Sequence, residues 1–302
     1  MSTLLSPETL AGKMLFAIPK KGRLYEKCLE LLAGADIQFK RAHRLDVALV
    51  QNHPMALVFL PAADIPRFVA EGNVDLGITG QDMVAEAGLS SELTEELELG
   101  FGKCALQVQV PESSSFKEPK DLVGKKVATS FDRLAGEYFS KLQSDEEKKT
   151  IIEYVGGSVE AACALGLADG IVDLVESGET MRACGLHPIA TLLTSQAVLI
   201  RPTTPHERAD TALTKLVTSR IRGVIAAARY VLVEYNVQKS TLDKALQITP
   251  GRRAPTVSPL DDQGWNAVSV MVLRKEVANV MDSLEEIGAC DIFVVQLANC
   301  RI

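Results

Sequence analysis

The chain has 302 residues, of which 47% are hydrophobic and 5% aromatic, and a formal net charge of −7. That length allows one to three domains with a sizeable core, and the composition suits a globular chain. An acidic balance without long basic runs or aromatic platforms argues against a nucleic-acid groove, so an anionic ligand would need a local cationic site.

In chain order, MLFAIP (14–19) is a short apolar run ending at proline, the signal of a buried strand. KKGRLYEKCLELLAGAD follows with Leu24, Cys28, Leu31 and Leu32 at helical spacing and Gly34 as a C-cap. MALVFLP (55–61) and VDLGIT (74–79) predict two more strands, with Asp64 capping the helix between them and QDMVAEAGL a helix after them. Strands alternating with helices predict a parallel α/β sheet with right-handed crossovers. CALQVQVPESSSFKEPKDLVG (104–124) has alternating strand character and then a Pro/Ser/Lys-rich crossover. The pattern restarts with the strands KKVATS (125–130), IIEYVG (151–156) and GIVDLV (170–175). They are followed by the helices FDRLAGEYFSKLQ, SVEAACALGLA and one after Ser177-Gly178-Glu179-Thr180, while QSDEEKKT (143–150) reads as a solvated connector. HERADTALTKLVTSRIRGVIAAAR (206–229) predicts one long helix, and the remainder has the order βαββαβ of a ferredoxin-like unit without a Gly-rich loop or nucleophile–base pair.

A partial internal repeat suggests paired lobes around a cleft. VDLGITGQDM (74–83) aligns without gaps to VDLVESGETM (172–181), sharing Val-Asp-Leu, a glycine and the terminal Met. In open α/β sheets, ligands bind beyond the carboxyl ends of the strands, where both copies lie. The six cysteines form no CxxC pair and the four histidines no HxxxH spacing, which argues against zinc or disulfides and for a reducing compartment. With no signal-peptide pattern or membrane-length apolar run, a cytoplasmic protein without a membrane partner is expected.

Several junctions carry chemistry. Ser177-Gly178-Glu179-Thr180 reads either as an ordinary capped turn or as a phosphate cradle, in which backbone N–H groups meet an anion, Gly178 permits close approach and the hydroxyls add donors. Asp173 and Glu176 repel bare phosphate but suit ribose hydroxyls or a Mg²⁺ bridging pyrophosphate, so a phosphorylated sugar fits better. IPKKGRL (18–24) places Lys20, Lys21 and Arg23 around Gly22, either a solvated turn or a capture site for a polyanion. Thr129, Ser130, Gly157 and Ser158 stand at expected helix starts and each, taken singly, could be no more than a cap.

The stretch GSVEAACALGLADGIVDLVESGETMRACGL (157–186) resembles the phosphoribosyl-pyrophosphate loop of the ATP phosphoribosyltransferase family, which opens histidine biosynthesis. IPKKGRL, RLDVAL (44–49), FLPAADIP (59–66), VDLGITG (74–80), PGRRAPTVSPL (250–260) and the ending ANCRI also resemble it, in the long, fungal-like form. Ser177 stands where many relatives have Thr, and SFD replaces a tyrosine-containing turn.

The resemblance implies two periplasmic-binding-protein-like (type II-like) lobes and an ACT-like regulatory domain. The expected boundaries are 1–108 with a return segment 194–228, then 109–193, then 229–302. It also implies that Asp173, Glu176 and Ser177 to Thr180 bind phosphoribosyl pyrophosphate. Lys20, Gly22 and Arg23 would contact ATP or pyrophosphate, with Asp75, Thr79 and Gly80 as the first lobe's rim and Thr129, Ser130, Gly157 and Ser158 as further contacts. Arg23 and Asp173 would carry the chemistry, Mg²⁺ would be held mainly by substrate phosphates, and Asn236, Thr256 and Asp291 would take histidine as feedback inhibitor of a homo-oligomer, a hexamer by expectation. A different class, a non-catalytic small-molecule binder, shares the two-lobed architecture.

Overall fold

The computed structural model describes residues 7–41, 45–144, 148–206 and 209–301. The middle of the connector 143–150, positions 207–208 of the expected helix, Arg44 of RLDVAL and the final Ile302 lie outside them. A short helix α1 (Pro7–Leu10) precedes β1 (Met14–Pro19), which is buried along most of its length because helices cover both faces of a parallel sheet. α2 (Tyr25–Gly34), β2 (Val47–Leu49), β3 (Met55–Leu60), α3 (Ile65–Ala70), β4 (Leu76–Gly80), α4 (Gln81–Ala87) and β5 (Leu93–Glu98) complete the first lobe. The second holds β6 (Cys104–Pro111), β7 (Lys126–Thr129), α5 (Asp132–Leu142), β8 (Ile151–Tyr154), α6 (Ala161–Ala164), β9 (Gly170–Val175), α7 (Glu179–Ala183) and β10 (Leu186–Ser195), before β11 (Ala197–Pro202) returns to the first.

The sheet orders are β2-β3-β1-β4-β11-β5 and β10-β6-β9-β7-β8. Read from β3 and from β8 they are one scheme. A central strand, β1 or β7, has two parallel neighbours, and an antiparallel strand arriving from the other half of the chain pairs beside β4 or β9. This strand exchange moves the expected boundaries. Cys104–Pro111 lies wholly in the second sheet, so the first lobe does not extend to 108, and β10 runs to Ser195, so the return begins at Ala197 rather than 194. Period-two alternation marks CALQVQVP as a strand but cannot say which sheet it joins. β5 is missed because LTEELE lacks apolar alternation, and β10 because Pro188 and two register shifts interrupt it.

The repeat is present with a different register. Asp75 donates its N–H to Leu15 O (2.8 Å) and accepts Leu15 N on Oδ2 (2.7 Å); Asp169 makes the same pair of bonds with Lys126 (2.8 and 3.0 Å). The structural partner of Asp75 is therefore Asp169, not Asp173. α4 begins six positions after Asp75, and α7 ten positions after Asp169. The second lobe carries four extra residues at the strand-to-helix junction.

The remaining elements are α8 (Thr211–Arg229), β12 (Tyr230–Gln238), α9 (Leu242–Ile248), β13 (Thr256–Pro259), β14 (Trp265–Leu273), α10 (Val277–Glu286) and β15 (Cys290–Gln296). The sheet order β13-β14-β12-β15 is the ferredoxin-like one. Its core alternates along β12: Val231, Val233, Tyr235 and Val237 are buried with Ala245 and Leu284 of α9 and α10. The chain divides into two compact units, Met1–Leu29 with Gln38–Thr214, and Glu30–Ile37 with Lys215–Ile302. α8 beyond Thr214 thus groups with the C-terminal unit rather than with the first lobe to 228. Within that unit Val224 packs on Gly34, where an added Cβ would fall 3.0 Å from Val224 Cγ1, and Asn299 Nδ2 donates to Gly34 O (3.0 Å). Among the described residues no helix is long and apolar enough to cross a membrane.

Candidate functional site

Of the four extra residues of the second lobe, one lengthens β9 and three form a loop, Glu176 to Gly178, between β9 and α7. Gly178 is buried and adopts φ +74°, the left-handed region that disfavours any side chain. Ser177 Oγ accepts Glu179 N (3.4 Å), and Arg182 Nη2 donates to Ser177 O (3.1 Å). α7 has five residues, so the anion-binding capacity of this loop lies in its own N–H groups and hydroxyls rather than in a long helix dipole. A cavity of about 300 Å³ runs along the segment from Asp173 to Met181 and is closed by Glu160, Gln109, Cys104 and Arg23.

Asp173 sits at the cavity wall. Its Oδ1 accepts Leu174 N (2.8 Å), and Gln109 Nε2 reaches its carbonyl oxygen (3.4 Å). Burial, and secondarily the charge of Glu160, pushes its carboxyl up to about 6. A raised carboxyl stabilises the fold fully below its unfolded value, and that contribution is lost as pH rises through about 6. The ionised form, the better acceptor for sugar hydroxyls, predominates above that point. If Asp173 holds the sugar of phosphoribosyl pyrophosphate, as the sequence resemblance implies, affinity for that ligand should fall as pH is lowered through about 6, and Asp173→Asn should flatten that limb. Calorimetric titrations across that range in parent and variant check this; an unchanged limb in Asp173→Asn would assign the titration to another group.

Arg23 enters from the first lobe. Its Nη1 donates to Gly102 O (2.7 Å) and lies 3.5 Å from Glu176 Oε1, and its Nη2 lies 3.6 Å from Asp82 Oδ2. The basic turn and the acidic loop expected from sequence therefore meet, with Glu176 facing a cation. Gly22 is exposed with φ +85°, and Lys20 donates its backbone N–H to Leu60 O (2.8 Å) without lining the cavity.

Other expected contacts are placed elsewhere. Asp75 stands at the amino end of β4, about 16 Å of strand away from Gly80 at ~3.3 Å per residue; it closes the strand entry and is not on the rim. Thr79 is fully buried with Oγ1 donating to Ala62 O (2.8 Å). Thr129 is likewise buried, its Oγ1 donating to Val172 O (2.7 Å) and accepting Phe131 N (2.9 Å), so it ties β7 to β9 instead of meeting ligand. Phe131, not Ser130, occupies the N-cap of α5. Gly157 and Ser158 are exposed, Ser158 at φ +52°, and the expected helix 158–168 shrinks to the four residues of α6. Gln109, Glu160, Asp82 and Ser195 were not legible as site neighbours, because strand exchange and the second crossover bring three of them there.

The lobes also cap each other. Glu86 of α4 accepts Arg133 N (2.9 Å) and Leu134 N (3.0 Å) in the first turn of α5, and Arg133 Nη1 donates to Ala85 O at the end of α4 (2.7 Å).

In the C-terminal unit Asn236 Nδ2 donates to Asp291 Oδ2 (2.9 Å), where Asp291 has φ +50° and the register slips between Glu234 and Asn236. Thr256 is exposed on the edge strand, paired with Ser269, with β14 between it and β12. Two of the three expected histidine contacts meet, and the third lies two strands away. Among the described residues no group of three or more His, Cys, Asp or Glu side chains is arranged to hold a metal.

Residues 61–223 match the family model described as ATP phosphoribosyltransferase, and residues 227–299 the HisG C-terminal domain. The chain is 58% identical over 295 residues to the ATP phosphoribosyltransferase of Yarrowia lipolytica, covering 97% of this chain and 98% of that protein. It is 52% identical over 295 residues, with the same coverages, to the ATP phosphoribosyltransferase of Saccharomyces cerevisiae. Among solved structures, the ATP phosphoribosyl transferase (HisG:HisZ) complex from Thermotoga maritima matches with a TM-score of 0.56 at 22% identity, over 69% of this chain and 98% of that one, a likeness of fold.

Proposed function

The chain belongs to the ATP phosphoribosyltransferase family, pentosyltransferases that open histidine biosynthesis, and we propose that its cleft joins N1 of the adenine of ATP to the anomeric carbon of phosphoribosyl pyrophosphate, with inversion and release of pyrophosphate. The observation that carries this reading is the loop Glu176 to Gly178 at the β9–α7 junction, which the first lobe lacks, with left-handed Gly178, beside Asp173 and opposite Arg23.

In this reading the N–H groups and hydroxyls of Ser177 to Thr180 hold the 5-phosphate. Ionised Asp173 accepts hydrogen bonds from the ribose hydroxyls and so fixes the anomeric carbon. Arg23 exchanges Glu176 for an oxygen of the pyrophosphate, whose charge grows as the bond to carbon breaks. Alignment and charge neutralisation then supply the rate enhancement, with no side-chain nucleophile. The oxygen donors Asp173 and Glu176 suit Mg²⁺, which keeps most of its shell for water and phosphate oxygens; when bound it would neutralise the leaving group. Mixing the purified protein with ATP, phosphoribosyl pyrophosphate and Mg²⁺ should yield phosphoribosyl-ATP and pyrophosphate in equal amounts. Binding of both substrates without product would make the chain a non-catalytic binder.

Histidine inhibition, assembly as a homo-oligomer (a hexamer in this reading) and a cytoplasmic location belong to the same proposal. For histidine to act at a distance it must bind an inactive arrangement better than an active one. Asn236→Ala should raise the histidine concentration for half inhibition by about tenfold or more while preserving uninhibited turnover, because it removes a partner of Asp291 and none of the residues that line the cleft cavity. Thr256→Ile should desensitise as well. Inhibition curves unchanged in both variants would remove this domain from regulation. Truncation after Arg229 is a poorer test, since it cuts through the compact unit that includes α8 beyond Thr214.

A further inference from the structure

Asp82 and Ser195 stand at the junction of the lobes, and the reaction as derived leaves both unused. The Asp82 side chain is 1% exposed. A buried carboxylate is costly unless it is paired and hydrogen-bonded. One oxygen, Oδ1, accepts from Ser195 Oγ (2.5 Å), which in turn accepts Asp82 N (3.0 Å). The other, Oδ2, has no hydrogen-bond partner among the described residues and faces Arg23 Nη2 at 3.6 Å. The backbone is shaped around this group: a Cβ on Gly80 would fall 2.0 Å from Asp82 Oδ1. Gly102, with φ +64°, would place a Cβ 2.3 Å from Leu24 Cδ2, and its carbonyl holds Arg23 Nη1. Ser195 ends β10 and Gly102 lies between β5 and β6, so Arg23 is held at both crossovers of the lobes.

We propose that Asp82, anchored by Ser195, is the positioning residue that holds the Arg23 guanidinium at the lobe junction while an oxyanion of phosphoribosyl pyrophosphate displaces Glu176. The proposal rests on the reading of Arg23 as a substrate contact. The two sides of the guanidinium differ in strength. The Glu176 partner is 51% exposed, and such a pair is worth little. The Asp82 side is buried and fixed through Ser195, so substrate replaces the weaker contact without releasing the stronger one. Preorganisation of this kind lowers the entropic cost of aligning the leaving group.

A double-mutant cycle tests it, read as kcat/KM for phosphoribosyl pyrophosphate in the full-length protein, with melting midpoints measured alongside. Asp82→Asn should lower kcat/KM by about tenfold or more, and Ser195→Ala by less; in an Arg23→Ala background each should cost under about twofold further. If Asp82→Asn does not fold, Ser195→Ala decides. Parent-like kcat/KM in the single variants beside a crippled Arg23→Ala overturns the positioning role and leaves the reading of Arg23 standing. Losses that multiply in the Arg23→Ala background also overturn it, because Asp82 would then serve the fold alone. Normal turnover by Arg23→Ala overturns the underlying reading and the proposal with it.

Discussion

Gly178→Val is expected to weaken phosphoribosyl-pyrophosphate binding by about a hundredfold or more, or ~2.7 kcal/mol, while leaving the fold intact. Gly178 holds φ +74°, and an added Cβ would lie 2.8 Å from Arg182 Nη1 and 3.5 Å from Met181 Cε. A β-branched residue in that region costs about 1–3 kcal/mol of strain and is relieved by turning the peptide, which re-aims the N–H groups of the loop. Displacing Arg182 would also release the Ser177 carbonyl that it holds. The buried cluster of the second lobe, around Val108, Val127, Phe131 and Phe139, lies outside the loop, so folding should survive. Calorimetry with each substrate separately checks the result: affinity for ATP should stay near that of the parent. Near-parent affinity for phosphoribosyl pyrophosphate in a folded variant would remove the cradle.

Arg23→Ala is the second large effect, a loss of more than tenfold in catalytic efficiency, at least ~1.4 kcal/mol of transition-state stabilisation. The structure adds a consequence for stability. Removing the guanidinium leaves Asp82, 1% exposed, with an oxygen that has no other partner among the described residues; breaking a fully buried pair from one side costs about 3–5 kcal/mol, and the 28% exposure of the Arg23 side chain reduces that here. The melting midpoint should therefore fall. In the double variant with Asp82→Asn the midpoint should recover and the activity should not. Recovery of both together would mean that Arg23 matters only for folding. Normal turnover by Arg23→Ala at subsaturating substrate would return the basic turn to a solvated loop.

Local rules in the sequence carried much of this protein. The apolar runs at 14–19 and 55–60, the helical spacing of Leu24, Cys28, Leu31 and Leu32, and the βαββαβ order after Tyr230 all correspond to observed elements. Their signals arise from neighbours in the chain, through burial on one face and backbone preference. Ser177-Gly178-Glu179-Thr180 stood out for the same reason, since a strand-to-helix turn with a left-handed glycine is a local event. Tertiary structure decided the rest. Alternation in CALQVQVP could not name its sheet, because pairing is set by partners about 70 residues away, as Leu174 is from Leu106, and about 85 away, as Thr191 is from Gln107. The repeat aligned Asp75 with Asp173, yet paired backbone bonds equate it with Asp169, because the inserted loop shifts the register where a gapless comparison cannot follow. Thr129 and Thr79 have the composition of ligand contacts, but hydrogen bonds to carbonyls of neighbouring elements consume their hydroxyls. Asp82 and Ser195, 113 positions apart, became one buried pair only when the two crossovers met. A side chain's type is written in the sequence, but whether its polar atoms face ligand or protein depends on which distant segment satisfies them first.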